Sequence, residues 1–281
     1  MLTENPFAAL TGTIPATAMQ IYVIAMMILV IGGTVLDMIH KKSAKYFFAN
    51  AENAKKSATR TVGGGEKVGL AVKTLTSEVL TSSEFSNPKR RISHLLSMYG
   101  FIAFVLSSAV MVFAYTGAGV ETPAIWPILW HLGALSLAIG GYWFWFGIRV
   151  DVVSEGKSPF SLDRADLFIV SLLGVSTFGL IWSFLQSINA GILTTAFLVL
   201  FIIASTVLFG GVMWSKFAHM FFKPAAAYQK KVTVADGSRE NLPAPADRND
   251  PADRDRHSME LLKDAPMDMG LGIKRESPNH Y

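Results

Sequence analysis

The chain has 281 residues, 51% hydrophobic and 16% charged, with a mean hydropathy of +0.37 and a formal net charge of +4. A soluble domain carries about 25% charged residues, and here the charge is missing in blocks, as when membrane spans alternate with polar loops. The absence of cysteine excludes disulfides, thiolate-held iron–sulfur clusters, covalent c-type haem and a cysteine nucleophile.

Five stretches reach the ~20 residues that cross a bilayer at 1.5 Å rise each. The first runs over 15–36, with Pro15 suited to a first helical turn. Its apolar run exceeds a typical signal-peptide core and no Lys or Arg precedes it, so it reads as a retained span. A loop at 37–93 follows. Within it, 43–56 is rich in Ala and Lys around Tyr46, Phe47 and Phe48, a pattern for a helix lying on a membrane surface with basic groups toward anionic head groups. Gly63-Gly64-Gly65 interrupts the chain but lacks the ending of a phosphate loop. Val68, Leu70, Val72, Leu75, Val79 and Leu80 then predict a second short amphipathic helix.

The second span is predicted over 94–115, after Pro88-Lys89-Arg90-Arg91. The third covers 123–148 and closes on the aromatic run 142–146, the fourth 167–186 and the fifth 192–222. The membrane domain is thus 1–228, an all-α bundle of five transmembrane helices. Residues 229–281 turn polar, with Asp-Arg alternation and prolines, and are predicted to be a disordered tail. Near its end Met267, Met269, Leu271 and Ile273 form a short apolar patch that reads either as a docking element or as plain tail.

All 25 Lys and Arg fall in three segments: eleven from Lys41 to Arg91, three at Arg149, Lys157 and Arg164, and eleven from Lys216 onward. The positive-inside rule places these in the cytoplasm and the N-terminus outside. The pI of about 9.2 is then a signature of topology, and no nucleic-acid partner is expected.

Six histidines remain to be sorted. His257 and His280 lie in the tail, and His40 is juxtamembrane beside Lys41 and Lys42. His94 at the start of span two and His219 at the end of span five sit at similar depth on the same side. Opposed imidazoles from separate helices are what a bis-histidine b-type haem needs, and head-group-zone histidines bonded to lipid or water are the alternative. His131 lies ~7–12 Å inside the other end of span three. It is a candidate for a second haem, for a quinone head group, or for helix packing; Met111 is the sulfur ligand nearest in depth. Tyr99 and His40 are further candidate quinone anchors.

The run Arg90-Arg91-Ile92-Ser93-His94-Leu95-Leu96-Ser97-Met98-Tyr99-Gly100-Phe101 resembles the second-helix motif of the nitrate reductase gamma-subunit-like family, with its heterodisulfide-reductase-like membrane haem b subunits. Trp214-Ser215-Lys216-Phe217-Ala218-His219-Met220-Phe221-Phe222-Lys223-Pro224 resembles the family's fifth-helix motif. The resemblance covers about 15–228 and implies His94 and His219 as opposed axial ligands of haem b, with quinone as substrate. The chain lacks the cysteine-rich cluster domain of some relatives and the extra span-two and span-five histidines of two-haem members. It implies one haem, leaving a second open through His131. A long polar tail without cluster motifs is most similar to the anchors serving dissimilatory adenylylsulfate reductases.

The expectation is an electron-transfer subunit, not an enzyme by itself. It would sit in the cell inner membrane between a cytoplasmic iron–sulfur or flavin oxidoreductase and quinone. The alternative is a non-redox anchor that tethers such an enzyme through its loop and tail. A transporter fits poorly, because spans four and five carry no charged residue before Lys216.

Overall fold

The computed structural model describes residues 1–83, 85, 87–117, 119–149, 158–239 and 250–252. Among them are eight α-helices and no strand: α1 (Ala16–Lys41), α2 (Ser43–Lys56), α3 (Gly64–Thr74), α4 (Pro88–Ala114), α5 (Ile125–Phe144), α6 (Leu167–Ser187), α7 (Ile192–Gly210) and α8 (His219–Ala235). Five of these, α1, α4, α5, α6 and α7, are long and apolar enough to cross a membrane. The chain is a multi-pass membrane protein. Lys157, His257, His280 and the 267–273 patch lie outside the described residues.

Helix ends differ from the predicted spans for local reasons. α4 begins at Pro88 rather than His94, because the Asn87 side chain caps it by accepting from the Lys89 and Arg90 amides at 3.0 and 3.4 Å and Pro88 occupies the first turn without losing a needed donor. His94 therefore stands in a formed second turn. α5 gives way at Trp145–Arg149 to a π-helical turn. The predicted fifth span, 192–222, is broken: α7 stops at Gly210, a 3-10 turn spans Val212–Trp214, and α8 opens at His219. The Gly210-Gly211 pair permits the break. A Cβ at Gly211 would lie 2.5 Å from the Val207 carbonyl oxygen, so the chain turns where only glycine fits.

The chain divides into two units, and the first comprises residues 1–44 and 81–223. In it α4 and α5 run antiparallel at close range through glycine. A Cβ at Gly100 would meet the Leu137 amide nitrogen at 2.5 Å, one at Gly133 the Phe104 nitrogen at 2.7 Å, and one at Gly140 the Ser97 nitrogen at 2.7 Å. Small residues let backbones approach where no water drives helices together. Hydroxyls cross the same seam, from Ser93 to the Gly140 carbonyl and from Ser136 to the Leu96 carbonyl, both at 2.9 Å. α6 packs on α5, α7 on α6, and α1 follows α7 with Gly33 against Val212.

At the α5–α6 corner Arg149 is 7% exposed and bidentate on Asp166, with Nε 2.9 Å from Oδ1. Its guanidinium also donates to the Ser158 and Ser161 carbonyls at 3.3 and 2.6 Å and lies 4.4 Å over the Trp145 ring. We expect Arg149→Met to destabilise the first unit by ~1–3 kcal/mol, since it takes the Arg149 charge from a half-buried carboxylate. Adding Asp166→Leu should restore much of the loss in a double-mutant denaturation cycle; strictly additive losses would contradict this role.

The second unit holds residues 45–80 together with the described residues from Pro224. α3 continues into a π-helical turn, Leu75–Leu80. The predicted disordered tail does not begin at 229, because α8 runs on to Ala235 and its end is tied down. The Thr59 amide donates to the Asp236 carbonyl at 2.9 Å, and Lys231 bonds Ser77 and Glu78 at 2.9 and 3.0 Å. Gly237, at φ +80° and hard against Thr59, takes the left-handed position that ends helices.

Arg60 bonds Glu66 in the first turn of α3 and holds its carboxyl below the usual carboxylate range. A depressed carboxylate contributes stability above its unfolded pKa and loses it as pH falls through the folded value. Acidification through the carboxylate range should therefore loosen the start of α3, modestly, because the pair is exposed. Amide chemical shifts of 64–67 that stay fixed across that range would rule this out.

Candidate functional site

His94 and His219 are held in related ways at the end of the bundle where α4 begins and α7 finishes. His94 Nδ1 is 3.0 Å from Ser82 Oγ, and its ring centroid is 4.9 Å from that of Phe85. Ser82 is wholly buried and stands at φ +49°, a conformation uncommon outside glycine and often kept where function demands it. His219 Nδ1 bonds the Lys216 carbonyl, and its ring meets Phe168 edge-on at 5.8 Å. A carbonyl only accepts, so Nδ1 is the donor in this bond. Metal-bound histidines are characteristically oriented this way, through the nitrogen that faces away from the metal.

Phe85 links the two neighbourhoods. Its ring lies 5.3 Å from Lys223 Nζ, one turn beyond His219, and 5.4 Å from the Arg90 guanidinium. The start of α4 and the start of α8 therefore share one aromatic ring. The two histidines come from different helices, and each is bonded through Nδ1 and packed against a phenylalanine. Loss of an orienting partner typically lowers metal affinity ~10–100-fold. We expect that from Ser82→Ala in haem titrations, with the fold retained; an unchanged affinity would make Ser82 a packing residue only.

His131 is placed elsewhere. It is 2% exposed, with Nδ1 2.7 Å from the Pro127 carbonyl and Nε2 2.8 Å from Ser183 Oγ, joining α5 to α6. Both nitrogens are engaged, so of its three predicted roles the structure displays helix packing. Met111 is fully buried in the core. Tyr99 is 46% exposed and His40 is also exposed.

One feature of the first unit was not legible in the sequence. An apolar slot of about 510 Å³ runs between α1, α4 and α7. Phe7 and Leu10 line one end, and Phe217, Met220 and Phe221 line the other. None of His94, His131 and His219 lines it. The slot is a groove open along one side, with walls that are almost wholly apolar.

The N-terminal segment helps shape that first end. Asn5 Nδ2 donates to the Tyr115 carbonyl at 3.3 Å and Thr122 Oγ1 at 3.1 Å, and Phe7 packs on Trp130 and Trp182 at 6.0 and 5.7 Å. At the other end of α1, Asp37 is 3% exposed and pairs with Lys41 at 2.6 Å. Reading Lys41 for topology alone missed this pair, although its i, i+4 spacing was a usable signal.

No protein-family model, no curated protein and no solved structure matches the chain.

Proposed function

We propose that the chain is the membrane subunit of a respiratory redox complex in a cell inner membrane, carrying electrons between a cytoplasmic oxidoreductase and the quinone pool through one haem b held by His94 and His219. One observation carries this reading: two imidazoles on separate helices, each anchored through Nδ1, at ends of α4 and α8 that share the Phe85 ring. The motifs around both histidines support it by their resemblance to haem b subunits. In the same proposal the positive-inside rule puts this end in the cytoplasm and the N-terminus outside.

Haem b bound there would supply one-electron transfer. The chain's own part is to orient and to shield. Ser82 and the Lys216 carbonyl hold the rings through Nδ1, while Phe85 and Phe168 pack against them. His131 is spent on packing, which favours one haem over two. Without cysteine the chain cannot hold thiolate-bound clusters, so the partner must bring its own iron–sulfur or flavin centres. Adenylylsulfate reductase, joining sulfite to AMP and releasing electrons, is the partner that the tail and the missing cluster motifs favour. The basic cytoplasmic segments would dock it.

The rival is a non-redox anchor that only tethers such an enzyme. Absorption spectra separate the two. The purified chain, reconstituted with haem where needed, should give Soret and alpha bands of a six-coordinate b-type haem that respond to dithionite. A chain that stays colourless leaves the anchor.

A further inference from the structure

α3 carries an apolar strip that the second unit leaves uncovered. Val68, Val72 and Leu75 recur at i, i+4 and i+7, so they stand in one row, and they are 65%, 55% and 55% exposed. Lys67 and Lys73 flank the row on either side, and both are exposed. The opposite side is used within the unit. Thr74 is 2% exposed, and Ser77 and Glu78 in the turn that follows bond Lys231 of α8. α2, whose composition pointed to a membrane surface, shows the reverse. It turns Phe47 and Ala51 toward Ala226 and Gln229 of α8, and its exposed aromatics, Tyr46 and Phe48, stand ~200° apart around the helix and form no row.

What covers the strip follows from its size, its charge and its place in the chain. Three aliphatic side chains in one row fall far short of the ~20–30 residues and ~800 Å² a side that a stable protein interface buries. A bilayer surface asks for less. A helix lying in the interface sinks an apolar row ~5–10 Å into the acyl boundary while lysine stems run along the surface and their ammonium groups meet anionic head groups. The strip is also tethered close to that surface. α2 opens at Ser43, after α1 ends at Lys41, and α4 begins at Pro88, after the turn that follows α3 ends at Leu80. Each link to a membrane-spanning helix is therefore at most ~28 Å of extended chain.

We propose that α3 lies in the head-group layer of the leaflet at which α1 ends and α4 begins, with Val68, Val72 and Leu75 in the acyl boundary and Lys67 and Lys73 on anionic phospholipid. This needs no haem and goes beyond the electron-transfer reading, so each can fail alone.

The chain has no cysteine, so single introduced cysteines report without background. The full chain is reconstituted in nanodiscs containing anionic phospholipid, with no other protein present. A bimane label on Val68→Cys, Val72→Cys or Leu75→Cys is then quenched either by acyl-chain nitroxide lipids or by aqueous iodide. Glu52→Cys, exposed on α2, is the water reference, and Leu106→Cys, 54% exposed on α4, is the lipid reference. The strip labels should lie ~5–10 Å below the head groups and be shielded from iodide. Changing Lys67 or Lys73 to Gln should lower the docked-to-free ratio roughly fivefold for each lysine lost, and purely zwitterionic discs should lower it in the same direction. Strip labels as open to iodide as the label at 52 overturn the proposal, whether the strip then stays in water or awaits a protein. Docking that is equal in anionic and zwitterionic discs overturns it as well. The three strip positions are independent, so one that fails to fold leaves two to decide.

Discussion

Leucine in place of Gly100 should abolish the folded bundle. A Cβ there would sit 2.5 Å from the Leu137 nitrogen and 2.8 Å from the Gly133 carbonyl oxygen, and neither backbone atom can rotate away. Ordinary overpacking costs ~1–3 kcal/mol because side chains give; here two helices must part and the Ser93 and Ser136 bonds across the seam go with them. A loss beyond ~4 kcal/mol is expected, seen as aggregation on detergent extraction or collapse of the thermal transition. Gly140→Leu should behave alike. Gly32→Ala, with nothing within 4 Å of the added carbon, should be neutral or stabilising by up to about 1 kcal/mol. A Gly100→Leu protein as stable as the Gly32→Ala one would show that the helices do not meet as described.

Alanine at His219 should leave the fold and partner binding intact while removing quinone-linked turnover. In the proposed reading the imidazole, bonded to the Lys216 carbonyl and edge-on to Phe168, acts as an axial ligand. Losing an axial ligand should exceed the ~10–100-fold penalty of losing an orienting partner. His94→Ala should match it, and the double variant should be no worse than either, because two groups acting as one unit are not additive. His131→Ala should do the reverse: turnover per folded molecule is kept, but stability falls as Ser183 and the Pro127 carbonyl lose their buried partner. If His219→Ala retains full quinone-linked turnover, the conduit reading is wrong and the anchor remains.

Much of the architecture is written in hydropathy. The five spans, the helix at Ser43–Lys56 and the one after Gly63 all follow from apolar length and period. Where the reading slipped, a local rule had been outvoted. Asn87-Pro88 is a helix-start signal, yet the basic cluster behind it looked like the end of a loop. Gly210-Gly211 sits inside an apolar run that hydropathy carries straight through, so the break ahead of His219 was hidden. α8 persists past 228 because Thr59 and Glu78, far away in sequence, tie it down; no local pattern announces that.

The candidate site divides similarly. His94 and His219 were singled out by depth and motif, and they stand on α4 and at the start of α8. Ser82 could not be, because a left-handed serine is a property of the folded loop. His131 shows the opposite limit, where the sequence offers a depth but not the two hydrogen bonds that decide its use. Gly100, met as part of a motif beside a candidate ligand, proves to be a packing residue. The slot was invisible for a plainer reason: it is made by residues of three helices that are close in space and distant in the chain.

The proposed electron path needs iron between His94 and His219, and a pyridine haemochrome assay on the purified, reconstituted chain tests it most directly. It predicts one haem b per chain in the wild type and none in the His94→Ala, His219→Ala double variant. Haem absent from the wild type, or retained at full stoichiometry by the double variant, would contradict it.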